Sequence, residues 1–119
     1  MDQNLFHPIP RKVTIMRTRE DLQDELERML GNKRVYFQKP SSNKISYPAI
    51  VYSLDSGETK FADDRPYLHK KRYQITLLTL DPDDEMIDKI TMSVELQRPE
   101  FNNHFVSDNI HHYVFNLYY

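Results

Sequence analysis

Tyr47-Pro48-Ala49-Ile50-Val51-Tyr52-Ser53-Leu54 is the stretch that decides the fold. Ala49 to Tyr52 are apolar in succession, without polar alternation, so an extended chain here is apolar on both faces. Such a strand belongs in the interior of a sheet, with neighbours on each side. Asp55-Ser56-Gly57 ends it with turn chemistry. Before it, Val35-Tyr36-Phe37-Gln38 predicts a short strand, set apart by a polar stretch containing Pro40, Ser41, Ser42 and Asn43. After it, Glu58 to Pro66 reads as a charged loop holding one large apolar residue, Phe61. Tyr67 to Leu80 predicts a long strand in which Tyr73, Ile75, Leu77 and Thr79 share one face.

The helices follow from a different period. Thr18 is a good N-cap, Asp21 three residues on approximates a capping box, and acids fill the first turn. Leu22, Leu26, Met29 and Leu30 form one apolar stripe, and Gly31 supplies the left-handed residue that closes the helix. A second helix is expected from Asp81 as cap and Pro82 at the first helical position, with Met86 or Ile87, Ile90 and Val94 as its stripe. Phe101 to Val106 and Ile110 to Tyr118 predict a hairpin across Ser107-Asp108-Asn109. Val13 and Ile15 make Arg11 to Arg17 a weak strand signal. The predicted order is (β)-α-β-β-β-α-β-β. The fold class is α+β, a single mostly antiparallel sheet with two helices packed on one face. Residues 1–17 form an N-terminal arm, and residues 18–119 one domain.

Composition narrows the function. The chain has 119 residues, 39% hydrophobic and 29% charged, enough for one modest core. It has no cysteine, so disulfide scaffolds, thiolate metal sites and cysteine nucleophiles are absent. No apolar run approaches the roughly 20 residues that span a bilayer. MDQNLFHPIPRK lacks the apolar segment of a secretory signal, which predicts a cytosol-like compartment or export inside something larger. The formal net charge is −2, without the basic surplus of a dedicated nucleic-acid binder. Charges are nevertheless segregated. Acids cluster at residues 20–27 and 81–88, bases at Arg11-Lys12, Lys33-Arg34 and Lys70-Lys71-Arg72. Opposed patches suit contact with copies of the same chain, whereas each block alone also reads as a solvated helix face.

The search for chemistry is mostly negative. The two glycines, Gly31 and Gly57, both have local structural roles, so phosphate-cradling loops are missing. No serine sits in a nucleophile elbow. His104, His111 and His112 lie close in sequence, and a hairpin brings His104 near one of the other two. Adjacent His111 and His112 point to opposite faces of a strand and cannot share a metal. Asp81, Asp83 and Asp84 resemble a carboxylate cluster, but a helix N-terminus accounts for them. No catalytic residue, metal site or cofactor is therefore expected. Phe61 either folds back on the core or docks on a neighbour. The segment from Tyr113 to Tyr119 is apolar on both faces, which calls for burial by its own sheet or by another subunit.

With these elements placed, the sequence resembles the tail-completion, or tail terminator (minor capsid), proteins of long-tailed bacteriophages. The resemblance is carried by Val35-Tyr36-Phe37-Gln38-x-Pro40, Tyr47-Pro48-Ala49-Ile50-Val51-Tyr52 and Lys60-Phe61-Ala62-Asp63-Asp64-x-Pro66-Tyr67. It continues in Lys71-Arg72-Tyr73-Gln74-Ile75-Thr76, Asp81-Pro82-Asp83 and the stretch from His104 to Tyr119, covering roughly residues 20–119. Residues 1–17 depart from it. It implies a structural virion protein, not an enzyme, forming a homo-oligomeric ring of six-fold symmetry at the head-proximal end of the tail. The ring would end tail-tube polymerisation and join tail to neck. Its partners would be itself, the tail-tube protein and the neck or head-closure protein, with DNA passing through but not specifically bound. Assembly would take place in the host bacterial cytoplasm. Subunit or tube contacts are expected at Lys60, Phe61, Asp63, Asp64, Arg65, Lys70, Arg72, Tyr118 and Tyr119. Competing readings are a head–tail connector ring, a small metal-dependent nuclease using the Asp81 cluster or His104, and a monomeric binding module using the Phe61 loop.

Overall fold

The computed structural model describes residues 18–38, 45–62 and 65–119, with side chains described outside 58–70. The weak strand signal at 11–17 lies outside the described residues. The elements run α1 (Arg19–Leu30), β1 (Val35–Phe37), β2 (Ala49–Ala62), β3 (Arg65–Thr79), α2 (Met86–Thr91), β4 (Glu100–Ser107) and β5 (Ile110–Tyr118). They build an α+β fold around one five-stranded sheet of order β1-β2-β3-β5-β4.

α1 forms where its end signals are strongest. Asp21 N–H donates to Thr18 Oγ1 at 3.1 Å and Thr18 N–H to Asp21 Oδ2 at 2.9 Å, a complete capping box. At the other end Gly31 adopts φ +82°, and its N–H reaches the Glu27 carbonyl at 2.8 Å. Any side chain here would strain the backbone, which explains the glycine. Leu22 and Leu26 of the stripe are completely buried.

The sheet supplies the surface that α1 covers. In β2, β3 and β5, Ile50, Tyr52, Tyr73, Ile75, Leu77, Tyr113, Phe115 and Leu117 join Leu22 and Leu26 in one core. Alternation puts these strand residues on one face. Met86 and Ile90 of α2 enter the same core, so both helices lie on that face. β2 and β5 are interior strands. Ala49, Ile50 and Tyr52 are buried as their apolar run predicts. β5 pairs with β3 on one side and β4 on the other, so its apolar run is covered by its own sheet.

Three details depart from the sequence reading. β1 pairs with β2 in parallel, Val35 opposite Ile50, so the sheet is mixed although its other ladders are antiparallel. The charged segment expected to be a loop is strand instead. β2 runs to Ala62 and β3 begins at Arg65, with Lys60 opposite Tyr67 and Phe61 opposite Pro66. α2 starts at Met86, not at Pro82, and stops at Thr91, which leaves Val94 exposed. The acids expected to cap it fold their own turns: Asp81 Oδ1 accepts Asp83 N–H, and Asp84 accepts Met86 N–H and the Thr79 hydroxyl. Such local side-chain bonds compete with the helical ladder and delay its start.

The β4–β5 turn is tight, with Ser107 opposite Ile110 and Asp108 and Asn109 at φ +53° and +65°. Two left-handed residues are what a type I′ hairpin requires, and Asp and Asn tolerate that conformation. Urea denaturation should show Leu26→Ala losing about 2–5 kcal/mol of stability. Thr18→Ala should lose only about 1 kcal/mol. A smaller loss for Leu26→Ala than for Thr18→Ala would mean that α1 is not part of the core.

Candidate functional site

β5 ends at Tyr118, opposite Arg72 of β3. Beyond Arg72, β3 has only β2 beside it among the described strands, and the pairing continues to Ala62 opposite Arg65. The seven steps from Arg72 to Arg65 carry this two-stranded ribbon roughly 23 Å past the sheet, at about 3.3 Å per residue. Register breaks between Leu54 and Ser56 and between Glu58 and Thr59 lie at its base. Bulges of this kind sharpen the local twist and swing a ribbon away from the sheet. A two-stranded hairpin alone is only marginally stable in water. Its root therefore has to be held.

The root is a polar knot across four strands. Arg72 Nε donates to Asp55 Oδ2 at 2.8 Å, and Asn116 Nδ2 approaches the same oxygen at 3.3 Å. Asn102 Nδ2 then donates to Asn116 Oδ1 at 2.6 Å. The guanidinium of Arg72 is pushed above its ordinary pKa, first by the hydrogen bond to Asp55 and next by one to Tyr118. Backbone closes the arrangement: Tyr119 N–H donates to the Lys71 carbonyl at 3.0 Å. Beside it lies an open groove of ≈ 550 Å³ lined by Arg72, Arg98, Glu100, Asn116, Tyr118 and Tyr119, among others. Gln97 and Arg98 on its wall are left-handed, at φ +58° and +54°.

The expected contact residues thus divide along the ribbon. Arg72, Tyr118 and Tyr119 meet at its root. Lys60, Phe61, Arg65 and Lys70 belong to its two strands, with Glu58 opposite Lys70 in register. Their side chains, and Asp63 and Asp64 altogether, lie outside the described residues. Sequence reasoning missed Asp55, which it assigned to a turn. Its partner Arg72 is seventeen positions away, so only strand pairing brings them together.

A second surface lies at the opposite sheet edge. Every residue of β4 is exposed, and among the described strands none pairs with its outer side. Phe101, Phe105 and Val106 stand 50%, 44% and 53% exposed. An edge strand that exposes three large apolar side chains and holds no lysine or proline is open to pairing with another chain. Rings ladder across the hairpin: Phe101 against Phe115, Phe105 stacked on His112 at 4.4 Å, and His104 stacked on Tyr113 at 4.4 Å. His104 Nε2 also lies 3.0 Å from His111 Nδ1, while His112 turns to the other face, its Nδ1 3.0 Å from the Ile110 carbonyl. Tyr113, whose hydroxyl donates to the Pro82 carbonyl at 2.8 Å, has a raised pKa. Burial is the main cause, followed by Asp83, Asp81 and Asp84. No group of three or more metal-ligating side chains is assembled among the described residues.

No protein-family model, curated protein or solved structure matches this chain. Asp55→Ala should leave global stability within about 1 kcal/mol, because the pair is partly exposed. It should also speed tryptic cleavage between Lys60 and Lys71, read by mass spectrometry. An unchanged cleavage rate would mean that the knot does not hold the ribbon.

Proposed function

We propose that this chain is a structural ring subunit of a bacteriophage tail, acting at the head-proximal end to stop tube polymerisation and join tail to neck. The reading rests on the resemblance carried by residues 20–119. The observation that supports it best is the ribbon of β2 and β3, which runs beyond the sheet with no third strand among the described ones. A closed ring joins a patch on one subunit to a different patch on the next. The ribbon and the β4 edge, with its three exposed apolar side chains, are two such unlike patches on one small domain. A connector ring at the portal side would use the same kind of contacts.

The nuclease alternative has less support. Asp81 and Asp84 already accept hydrogen bonds within their own turn, which is a structural use of those carboxylates. Metal-dependent DNA cleavage abolished by Asp83→Ala would favour that reading over assembly.

Native mass spectrometry of the full chain across a range of concentrations should give a closed ring, six-fold by expectation. A strict monomer that also ignores tail-tube protein would sink the proposal. Phe61→Ser should keep the far-ultraviolet circular dichroism and melting temperature while shifting the mass distribution to monomer. Loss of folding instead would assign Phe61 to the core.

A further inference from the structure

We infer that the His104–His111 pair is a pH-sensitive latch, which holds β4 to β5 while at least one ring is neutral and lets go when both are protonated. The inference does not rest on the assembly reading.

The register brings the two rings together. His104 lies opposite Tyr113 and His111 opposite Val106, so the histidines are diagonal neighbours across one antiparallel ladder. Tyr113 and His111 are two residues apart on β5 and therefore share a face. His104 Nε2 lies 3.0 Å from His111 Nδ1, and the rings are 4° from parallel with centroids 5.3 Å apart. The two nitrogens face each other in line, the geometry of one hydrogen bond between imidazoles. Such a bond needs one nitrogen that carries a proton and one that does not.

The bond therefore depends on how many protons the pair holds. With both rings neutral, an N–H of one ring donates to the lone pair of the other. With one ring protonated, the donor is charged and the bond strengthens. With both protonated, every ring nitrogen is a donor, so two N–H groups and two positive charges face each other and the bond is lost. Histidine ordinarily changes charge at about pH 6.5, which places the release in mildly acidic solution.

Tyr113 stacks on His104 at 4.4 Å, and its hydroxyl is tied to the Pro82 carbonyl, which fixes the ring beside the pair. From the segment between β3 and α2, Asp81, Asp83 and Asp84 act electrostatically on Tyr113. β3 itself brings the uncharged Thr79 opposite His111. Within the hairpin, Glu100 stands at the far end of β4 and Asp108 in the turn, while His112 points to the other face beside Phe105. Neither ring of the pair enters an ion pair among the described residues.

Release has an effect here because β4 is held from one side. Only β5 pairs with it among the described strands, and that ladder is already interrupted between Phe101 and Asn103. Losing the histidine bond loosens residues 103–107 and leaves positive charge on an edge strand that has no lysine or arginine. Charge on an edge strand discourages pairing with another chain. The edge is thus ordered and open to a partner at neutral pH, and loosened and guarded in acid.

Amide hydrogen exchange of the full chain, read by NMR at about pH 7.5 and about pH 5 and corrected for the intrinsic rate at each, tests the latch. Protection of residues 103–107 should fall roughly two- to tenfold in acid, the range that one net hydrogen bond is worth, while α1 keeps its protection. His104→Phe keeps a ring to stack on Tyr113 but cannot titrate, so it should remove the acid loss at β4. His112→Phe should leave that loss in place. Equal protection of β4 at both pH values would overturn the inference, as would an acid loss that persists in His104→Phe or one shared equally by α1. The first and last of these are read on the unsubstituted chain, so they decide the matter even where a variant fails to fold.

Discussion

One apolar sheet face has to be covered, and the rest of the molecule is arranged around that need. Ile50, Tyr52, Ile75, Leu77 and Phe115 are each almost entirely removed from water, as are Leu22 and Leu26 of α1 and Ile90 of α2. A domain of this size has only a modest core, so each of these contacts is a sizeable part of its stability. Covering the face with two helices leaves both sheet edges and the β2–β3 extension to other means. It is there that the candidate sites lie.

Polar groups reach the edge of the core only with partners. The Tyr52 hydroxyl donates to Gln23 Oε1 at 2.6 Å and lies 3.4 Å from Arg19 Nη1. Burial raises the Tyr52 pKa, and the Arg19 hydrogen bond partly opposes that rise. Gln23 Nε2 also donates to the Val35 carbonyl at 2.8 Å, linking α1 to β1 as well as β2. Phe37 packs on Tyr52, with the Arg19 guanidinium 4.6 Å above its ring. This seam holds the short parallel strand β1, whose three register pairs would be a weak ladder alone.

The ribbon and the β4 edge differ in what holds them. At the ribbon root, Asp55 gathers Arg72 and Asn116 from β3 and β5, so order in the extension depends on charge and hydrogen bonding. At the β4 edge, stacked and edge-to-face rings on β5 hold exposed side chains in place, while the backbone's outer side has no strand beside it among the described residues. An interaction at the ribbon root should be sensitive to salt. One at β4 should respond mainly to apolar substitution.

Sequence alone determined the features that depend on a few neighbouring residues. The Thr18–Asp21 box, the Gly31 stop, the Asp108-Asn109 turn and the two-residue alternation of β3 were all legible, because their hydrogen bonds or periods close within a turn or along one strand. Tertiary structure decided the rest. The parallel placement of β1, the continuation of β2 to Ala62, the Asp55–Arg72 contact and the choice of His111 over His112 as partner of His104 all depend on which strand lies alongside and in what register. A one-residue shift in register would reverse every one of those side chains. The late start of α2 falls between the two: the acids were visible, but Asp84 bonds to Thr79 only once β3 has delivered that hydroxyl to the turn.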